Sequence, residues 1–150
     1  MGDLEIRPAA AADLPAIVGM LADDPLGATR ESPDDLAPYV TAFERLAEDP
    51  NQHLVVAERE GRVVGTLQLT IVPGLSRKGA TRSIIEGVRV HADERGSGLG
   101  TQFIEWAVAE SRRQNCQLVQ LTSDATRTDA HRFYERLGFE ASHLGFKLPL

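Results

Sequence analysis

Apolar and polar residues change period several times along this chain, and each change marks an element. Leu4-Glu5-Ile6-Arg7 alternates for one short strand that Pro8 stops. Leu14, Ile17, Val18 and Leu21 then recur at helical spacing behind Asp13, a residue suited to cap a helix. Asp23-Asp24-Pro25-Leu26-Gly27 breaks that helix. Ser32-Pro33-Asp34-Asp35 reads as a second N-terminus, with Ser as cap, Pro in the first helical position and acids in the first turn. The helix it opens is expected to end near Asp49-Pro50.

From about His53 the pattern is different in kind. Leu54-Val55-Val56-Ala57 runs into the turn pair Glu60-Gly61, and a new strand begins at Arg62-Val63-Val64-Gly65. In Thr66-Leu67-Gln68-Leu69-Thr70-Ile71 the leucines and Ile71 fall on one face. After a loop at Pro73-Gly74, Ser83 to Val90 returns as a third strand, so an antiparallel meander spans residues 53–90. The turn Arg95-Gly96-Ser97-Gly98-Leu99-Gly100 then feeds a helix carrying Phe103, Ile104, Ala107 and Val108 at helical spacing. Leu118-Val119-Gln120-Leu121-Thr122 reads as a strand. Ala130, Phe133, Tyr134 and Leu137 mark a last helical face with Gly138 as its left-handed stop. Phe139 and the tail Phe146-Lys147-Leu148 predict closing strands. No repeat or linker interrupts this order, and the reading is of one domain over residues 1–150.

Composition narrows the class. At 42% hydrophobic and 25% charged the chain lies in the ordinary globular range. A domain of this size buries roughly 70% of its unfolded surface, enough for a core without staples. Cys116, the single cysteine, forms no internal disulfide. There is no run of 18 apolar residues to span a membrane. Met1-Gly2-Asp3-Leu4-Glu5 lacks a basic stretch followed by an apolar one, so the expected location is the cytoplasm. The net charge of −6 argues against broad nucleic-acid binding, which depends on neutralising phosphate, and leans toward a cationic small molecule.

A strand that feeds a glycine-rich turn and then a helix suits phosphate. The first N–H groups of a helix have no internal partner, and the macrodipole adds positive potential there. Glycines at 96, 98 and 100 let an anion approach the backbone; Arg95 adds a charge and Thr101 a hydroxyl. A plain glycine loop is one reading. A dinucleotide fingerprint is another, but its third glycine would fall at Thr101, and the strand at 118–122 has no acid for a ribose. A phosphate-binding loop of the Gly-Lys-Ser/Thr type fails for want of the lysine.

Arg95-Gly96-Ser97-Gly98-Leu99-Gly100 resembles the Arg/Gln-x-x-Gly-x-Gly/Ala motif of the GNAT-type N-acetyltransferase superfamily. Ile85-Glu86-Gly87-Val88-Arg89-Val90 resembles that family's fourth strand, and Ala130-His131-Arg132-Phe133-Tyr134-Glu135-Arg136-Leu137-Gly138-Phe139 its second motif. The order of elements follows the family over nearly the whole chain. The resemblance implies an α/β (α+β) fold, a mixed, mostly antiparallel sheet of six to seven strands flanked by about four helices. It implies acetyl-CoA as co-substrate, direct transfer to an amine and no metal. The backbone of Val88, Arg89 and Val90 would hold the pantetheine arm, and Arg95, Gly96, Ser97, Gly98, Leu99, Gly100 and Thr101 the pyrophosphate. A homodimer is also implied by resemblance.

Acetyl transfer from a thioester needs a neutral amine, a stabilised oxyanion and a proton for the departing thiolate. An alkylammonium of pKa about 10.4 must lose its proton first. Glu86, on the strand bordering the expected thioester, is the candidate base; the plain alternative is an acid on the solvent face. Two residues before Val88, it would face the same slot unless a bulge changes the parity. Tyr134 is the candidate acid, since a phenol keeps its proton at pH 7; the alternative is a packing aromatic. The Val88 N–H would meet the oxyanion. Many family members carry Asn eight residues before the Tyr, where this chain has Thr126, which puts one pantetheine contact in question. Arg127 and Arg132 read as solvated charges or as partners for CoA phosphates.

His53, His91, His131 and His143 have no ligand spacing. Asp23, Asp24, Glu31, Asp34 and Asp35 either satisfy helix starts or draw a cationic acceptor. The acceptor is expected to be a small amine or an exposed amino group. The stretch from Thr122 to Lys147 is also similar to the branch that acetylates aminoalkylphosphonates, for which Arg30, Arg89 or Lys78 would have to meet the anion. A catalytically quiet acyl-CoA-binding module is the rival function.

Overall fold

A computed structural model describes residues 2–150, in a first compact unit that runs to Gln120 and a second, Leu121–Leu150. The first unit holds β1 (Leu4–Pro8), α1 (Leu14–Ala22), α2 (Gly27–Arg30), α3 (Ala37–Glu48), β2 (Gln52–Arg59), β3 (Arg62–Val72), α4 (Ser76–Gly79), β4 (Arg82–Val90) and α5 (Leu99–Arg113). β5 (Leu118–Leu121) ends at the boundary, and the second unit carries α6 (Thr128–Arg136). The strands lie in the order β1-β2-β3-β4-β5 in one mixed sheet. β1 to β4 are antiparallel neighbours, as the meander predicts.

The sheet has five strands among the described residues, fewer than the six or seven expected. The closing strands are absent: residues 139–150 are neither helix nor strand. Leu144, Phe146 and Leu148 keep the period-two pattern yet stand 83%, 91% and 84% exposed. A strand exists only with a partner, and the second unit offers none beyond Leu121. Among the described residues there are six α-helical segments instead of the four expected, the extra two (α2 and α4) being single turns.

Two faces of the sheet are covered for different reasons. On one, Val55, Ala57, Leu67, Leu69, Ile71 and Ile85 are buried together with Phe103, Ile104 and Ala107 of α5. Gly65 admits this helix: a Cβ there would lie 2.6 Å from the Phe103 ring. Ser83 and Ser111, both fully buried, satisfy each other at 2.7 Å across the same interface, and Ser111 also donates to the Ala107 carbonyl. On the other face Val56 and Thr66 are buried with Leu14, Ile17 and Val18 of α1. Arg7, which stands opposite Val56 in the register, reaches Asp13 at the start of that helix. The β2–β3 connection is the two-residue turn Glu60-Gly61, both at positive φ (53° and 74°), as a twisted hairpin favours.

Two predicted helix starts differ. Asp13 makes no side-chain cap on α1. Its carboxylate takes Arg7 Nη1 and Nη2 at 2.8 and 3.1 Å and the Ala10 N–H at 2.7 Å, since a nearly buried carboxylate is better satisfied by a guanidinium. Ser32-Pro33-Asp34-Asp35 forms a turn, closed by Asp35 N–H to the Ser32 carbonyl at 3.0 Å, and α3 starts at Ala37. There Pro38 takes the early helical position and Asp35 Oδ1 accepts from the Ala37 N–H at 3.1 Å.

Gly65→Ala should destabilise the protein by about 1–3 kcal/mol in denaturant titration, because the ring it strikes is fully buried. The Arg7 hydrogen bonds hold the Asp13 carboxyl below the usual carboxylate range. A depressed folded pKa gives stability that is present above the unfolded pKa and lost as pH falls through the folded one. Asp13→Asn should therefore be less stable than wild type at pH 7 and show a flatter acid limb below about pH 4 in pH-dependent unfolding.

Candidate functional site

Apart from Thr126, which belongs to the second unit, the predicted donor residues lie in the C-terminal part of β4, the loop after it and the start of α5. The register of β3 against β4 is regular on both sides of one irregularity: Gln68 opposes Glu86 and Thr66 opposes Arg89, so Leu67 faces both Gly87 and Val88. That is a β-bulge, with Gly87 at φ 62° supplying the left-handed step. The extra residue interrupts the ladder at Gly87 and Val88, and the Val88 carbonyl takes the Arg89 guanidinium at 2.8 Å. It also changes the parity: Glu86 falls in line with Arg89, and simple alternation toward Val88 does not hold.

Beyond Val90 the chain is pinned turn by turn. The His91 N–H donates to the Val64 carbonyl at 2.8 Å, and His91 Nδ1 accepts from the Asp93 N–H at 3.1 Å. The Glu94 carbonyl takes the Ser97 N–H at 3.1 Å and the Ser97 hydroxyl at 2.6 Å. Glu94 is in turn held by Arg59 Nε at 2.9 Å, an ion pair with both side chains 14% exposed. Sequence reading missed this brace, whose partners lie 35 residues apart with no motif linking them.

The N–H groups of Arg95 and Ser97 thus belong to the loop itself, Arg95 donating to the Ala92 carbonyl at 3.3 Å. Gly98, at φ 86°, precedes α5 with no side-chain cap, and the first i-to-i−4 bond of the helix is made by Gln102 to the Gly98 carbonyl. The N–H groups of Gly100 and Thr101 precede that bond and point out of the helix end; that of Leu99 lies 3.4 Å from the Ser97 hydroxyl. A Cβ on Gly96 or Gly98 would meet nothing within 4 Å, so the loop has open space over its backbone. These features fit a diphosphate group.

The acids near residues 23–35 are mostly engaged. Asp24 pairs with Arg89 at 3.3 Å and accepts from the Gly27 N–H, while Asp23 lies 3.5 Å from Arg95 in an exposed pair. Glu31 accepts from the Tyr39 hydroxyl at 2.9 Å, and Asp35 serves α3 as described. Glu86 is exposed and makes no ion pair among the described residues. On its face of the sheet, in half-buried positions, Gln52 Oε1 accepts from Gln68 Nε2 at 3.0 Å and from the Thr70 hydroxyl at 2.8 Å. The alternating polar residues Gln68 and Thr70 within β3 were the available signal for this cluster.

A recess of about 710 Å³ lies beside α1, lined by Ala16, Gly19, Met20, Arg62 and His91 among others, and none of the predicted catalytic or cofactor residues borders it. Arg30 and Lys78 are exposed on separate single-turn helices. Cys116 is half-buried, and burial pushes its thiol pKa up. Among the described residues no three His, Cys, Asp or Glu side chains come together as a metal site, and no helix is long and apolar enough to cross a membrane.

In the second unit, Tyr134 is half-buried on α6, edge-on to Phe133 and Phe139 at centroid distances of 5.1 and 5.9 Å. Gly138 sits at φ 97° past the helix end, as predicted. Thr126 is exposed, its hydroxyl and N–H both bonded to Asp124 Oδ1 at 2.6 and 2.9 Å. Arg132 pairs with Asp129 on the helix surface.

A sequence model of the Acetyltransferase (GNAT) family matches residues 16–139. The chain belongs to this family. Among solved structures, a transcriptional regulator from Bacillus halodurans C-125 superposes with a TM-score of 0.94 at 45% identity, covering 99% of this chain and 100% of that one. The aminoalkylphosphonate N-acetyltransferase of Salmonella typhimurium is 38% identical over 102 residues, 68% of this chain and just under two thirds (66%) of that protein. An L-methionine sulfoximine/L-methionine sulfone acetyltransferase of Pseudomonas aeruginosa is 29% identical over 141 residues, 91% of this chain and 80% of that protein. Within this GNAT chain the Arg59–Glu94 brace is what stiffens the loop. Arg59→Ala should cost about 1–3 kcal/mol of stability by leaving Glu94 unpaired. It should also speed hydrogen exchange of the amides from Glu94 to Leu99 while those of central β3 keep their protection.

Proposed function

We propose that this GNAT protein is an acetyl-CoA-dependent N-acetyltransferase that transfers acetyl directly to a neutral amine. The observation that carries the reading is the β4 bulge, which interrupts the ladder at Gly87 and Val88 in the strand that leads to the open N-terminus of α5. Backbone donors for a carbonyl oxygen and for a diphosphate are the two things a CoA thioester requires of a protein surface. In this reading acetyl-CoA supplies the activated acyl group. Val88, Arg89 and Val90 carry the pantetheine arm, the Val88 N–H faces the carbonyl oxygen, and Gly96 to Thr101 hold the diphosphate with the Arg95 guanidinium. Thr126 stands where the family's Asn would meet the pantetheine; its hydroxyl and N–H are both given to Asp124 and its carbonyl to the Thr128 N–H, so a pantetheine contact there would replace one of these bonds. Glu86 draws the proton from the acceptor ammonium, directly or through water, and Tyr134 protonates the departing thiolate from its phenol. No metal takes part.

The acceptor is a small primary amine, with a protein amino group as the other form of the same chemistry. The resemblance to the aminoalkylphosphonate enzyme supports an amine that also bears an anion. Arg89 is the best-placed basic side chain for one, though it is already shared with Asp24. A cytoplasmic location and a homodimer belong to the same proposal; the exposed, alternating Leu144, Phe146 and Leu148 support pairing with a second copy.

A second reading, a quiet CoA-binding regulatory module, is favoured by the 45% identity to a protein described as a transcriptional regulator. Release of free CoA thiol separates the two, measured against a panel of an aminoalkylphosphonate, methionine sulfone, a diamine and a lysine-bearing peptide. Tyr134→Phe should lower kcat by about 10²-fold or more with little change in the KM for acetyl-CoA. Binding of CoA with no turnover of any amine, and no effect of the substitution, would establish the quiet module instead.

A further inference from the structure

The polar row beside the bulge has a feature that the donor site does not use. Gln52 Oε1 receives two donors, Gln68 Nε2 and the Thr70 hydroxyl, which fixes the Gln68 amide with its N–H side toward β2. Gln68 Oε1 then receives no donor from the chain among the described residues, although its side chain is half-buried. Gln68 stands directly opposite Glu86 in the register, on the same face, where paired Cβ atoms lie about 5 Å apart. A half-buried carbonyl acceptor next to an exposed, unpaired carboxylate is a poor arrangement for stability and a good one for a group with several N–H donors.

We propose that Gln68 is the acceptor-positioning residue: its Oε1 and the Glu86 carboxylate together take two N–H bonds of the incoming amine, and Gln52 with Thr70 hold the Gln68 amide in the orientation that permits this. A primary ammonium can fill both acceptors, whereas a tertiary one, with a single N–H, fills only one. This role for Gln68 deepens the acetyltransferase reading and rests on it. Gln68 orients the nitrogen and takes no proton; the ammonium proton goes to Glu86 and leaves the amine lone pair for the thioester carbonyl.

Steady-state kinetics on Gln68→Leu, Gln68→Glu and Gln52→Leu over the same amine panel test the proposal. Gln68→Leu should raise the KM for the preferred amine about tenfold or more, as loss of a bond to a charged group does, with the KM for acetyl-CoA unchanged. Gln68→Glu keeps an oxygen acceptor and should retain amine binding. Gln52→Leu, which unpins the amide without removing it, should fall between. An unchanged amine KM in Gln68→Leu, or equal losses for amine and acetyl-CoA, overturns the proposal. Thermal unfolding of each variant separates a folding defect, which would move both constants. If the wild type turns over no amine, the acetyltransferase reading fails, and titration calorimetry of the same amines decides this site: binding lost in Gln68→Leu and kept in Gln68→Glu supports it, and equal or absent binding in wild type and variant rejects it.

Discussion

One extra residue in β4 sets the geometry of the whole first unit. Two residues of that strand, Gly87 and Val88, share a single partner, Leu67, and everything on either side of them must accommodate the shift. Toward the strand's end, Val90 opposes Gly65, the position whose missing side chain lets Phe103 lie against the sheet. On the other side of the shift, Glu86 is moved onto the face carrying Gln68. A bulge adds local twist and interrupts the ladder, and here the Val88 carbonyl turns to the Arg89 guanidinium. The same strand leads on, through the loop after Val90, to a helix start at Leu99 whose own first donors are not used inside the helix.

Much of this order is legible in the sequence. The period changes locate β1 to β5, α1, α5 and α6 to within a few residues, and Glu60-Gly61 and Gly138 announce a turn and a stop through the backbone conformations they permit. Helix starts were less legible. Asp13 and Ser32 have the chemistry of caps, but a cap is only one way to satisfy a carboxylate or hydroxyl, and Arg7 is a stronger partner for Asp13. The bulge could be suspected from Gly87 but not placed, since parity depends on what lies opposite. The last strands were misread because alternation describes a surface with two faces, whereas pairing needs a neighbour that sequence spacing does not supply.

The candidate site divides in the same way. Its loop was legible because glycines and a helix start act through the backbone, and the backbone follows the local sequence. The brace from Arg59 to Glu94 and the amide cluster of Gln52, Gln68 and Thr70 depend on long-range register. The acids at 23, 24, 31 and 35 looked like free charge in a string of letters. Folded, they are mostly matched to Arg89, Arg95, Tyr39 and the start of α3. Net charge therefore describes the surface as a whole and says little about the field at this strand end, where cation and anion alternate within one or two residues.

The environment of Cys116 has a practical consequence. Its thiol is half-buried and its ionisation is suppressed by that burial, so near neutral pH very little of it is thiolate, the form that attacks disulfide reagents. Free CoA carries an open thiol in water. A chromogenic disulfide added to a reaction mixture will therefore report liberated CoA against a slow, small background from the protein itself, with at most one equivalent per chain.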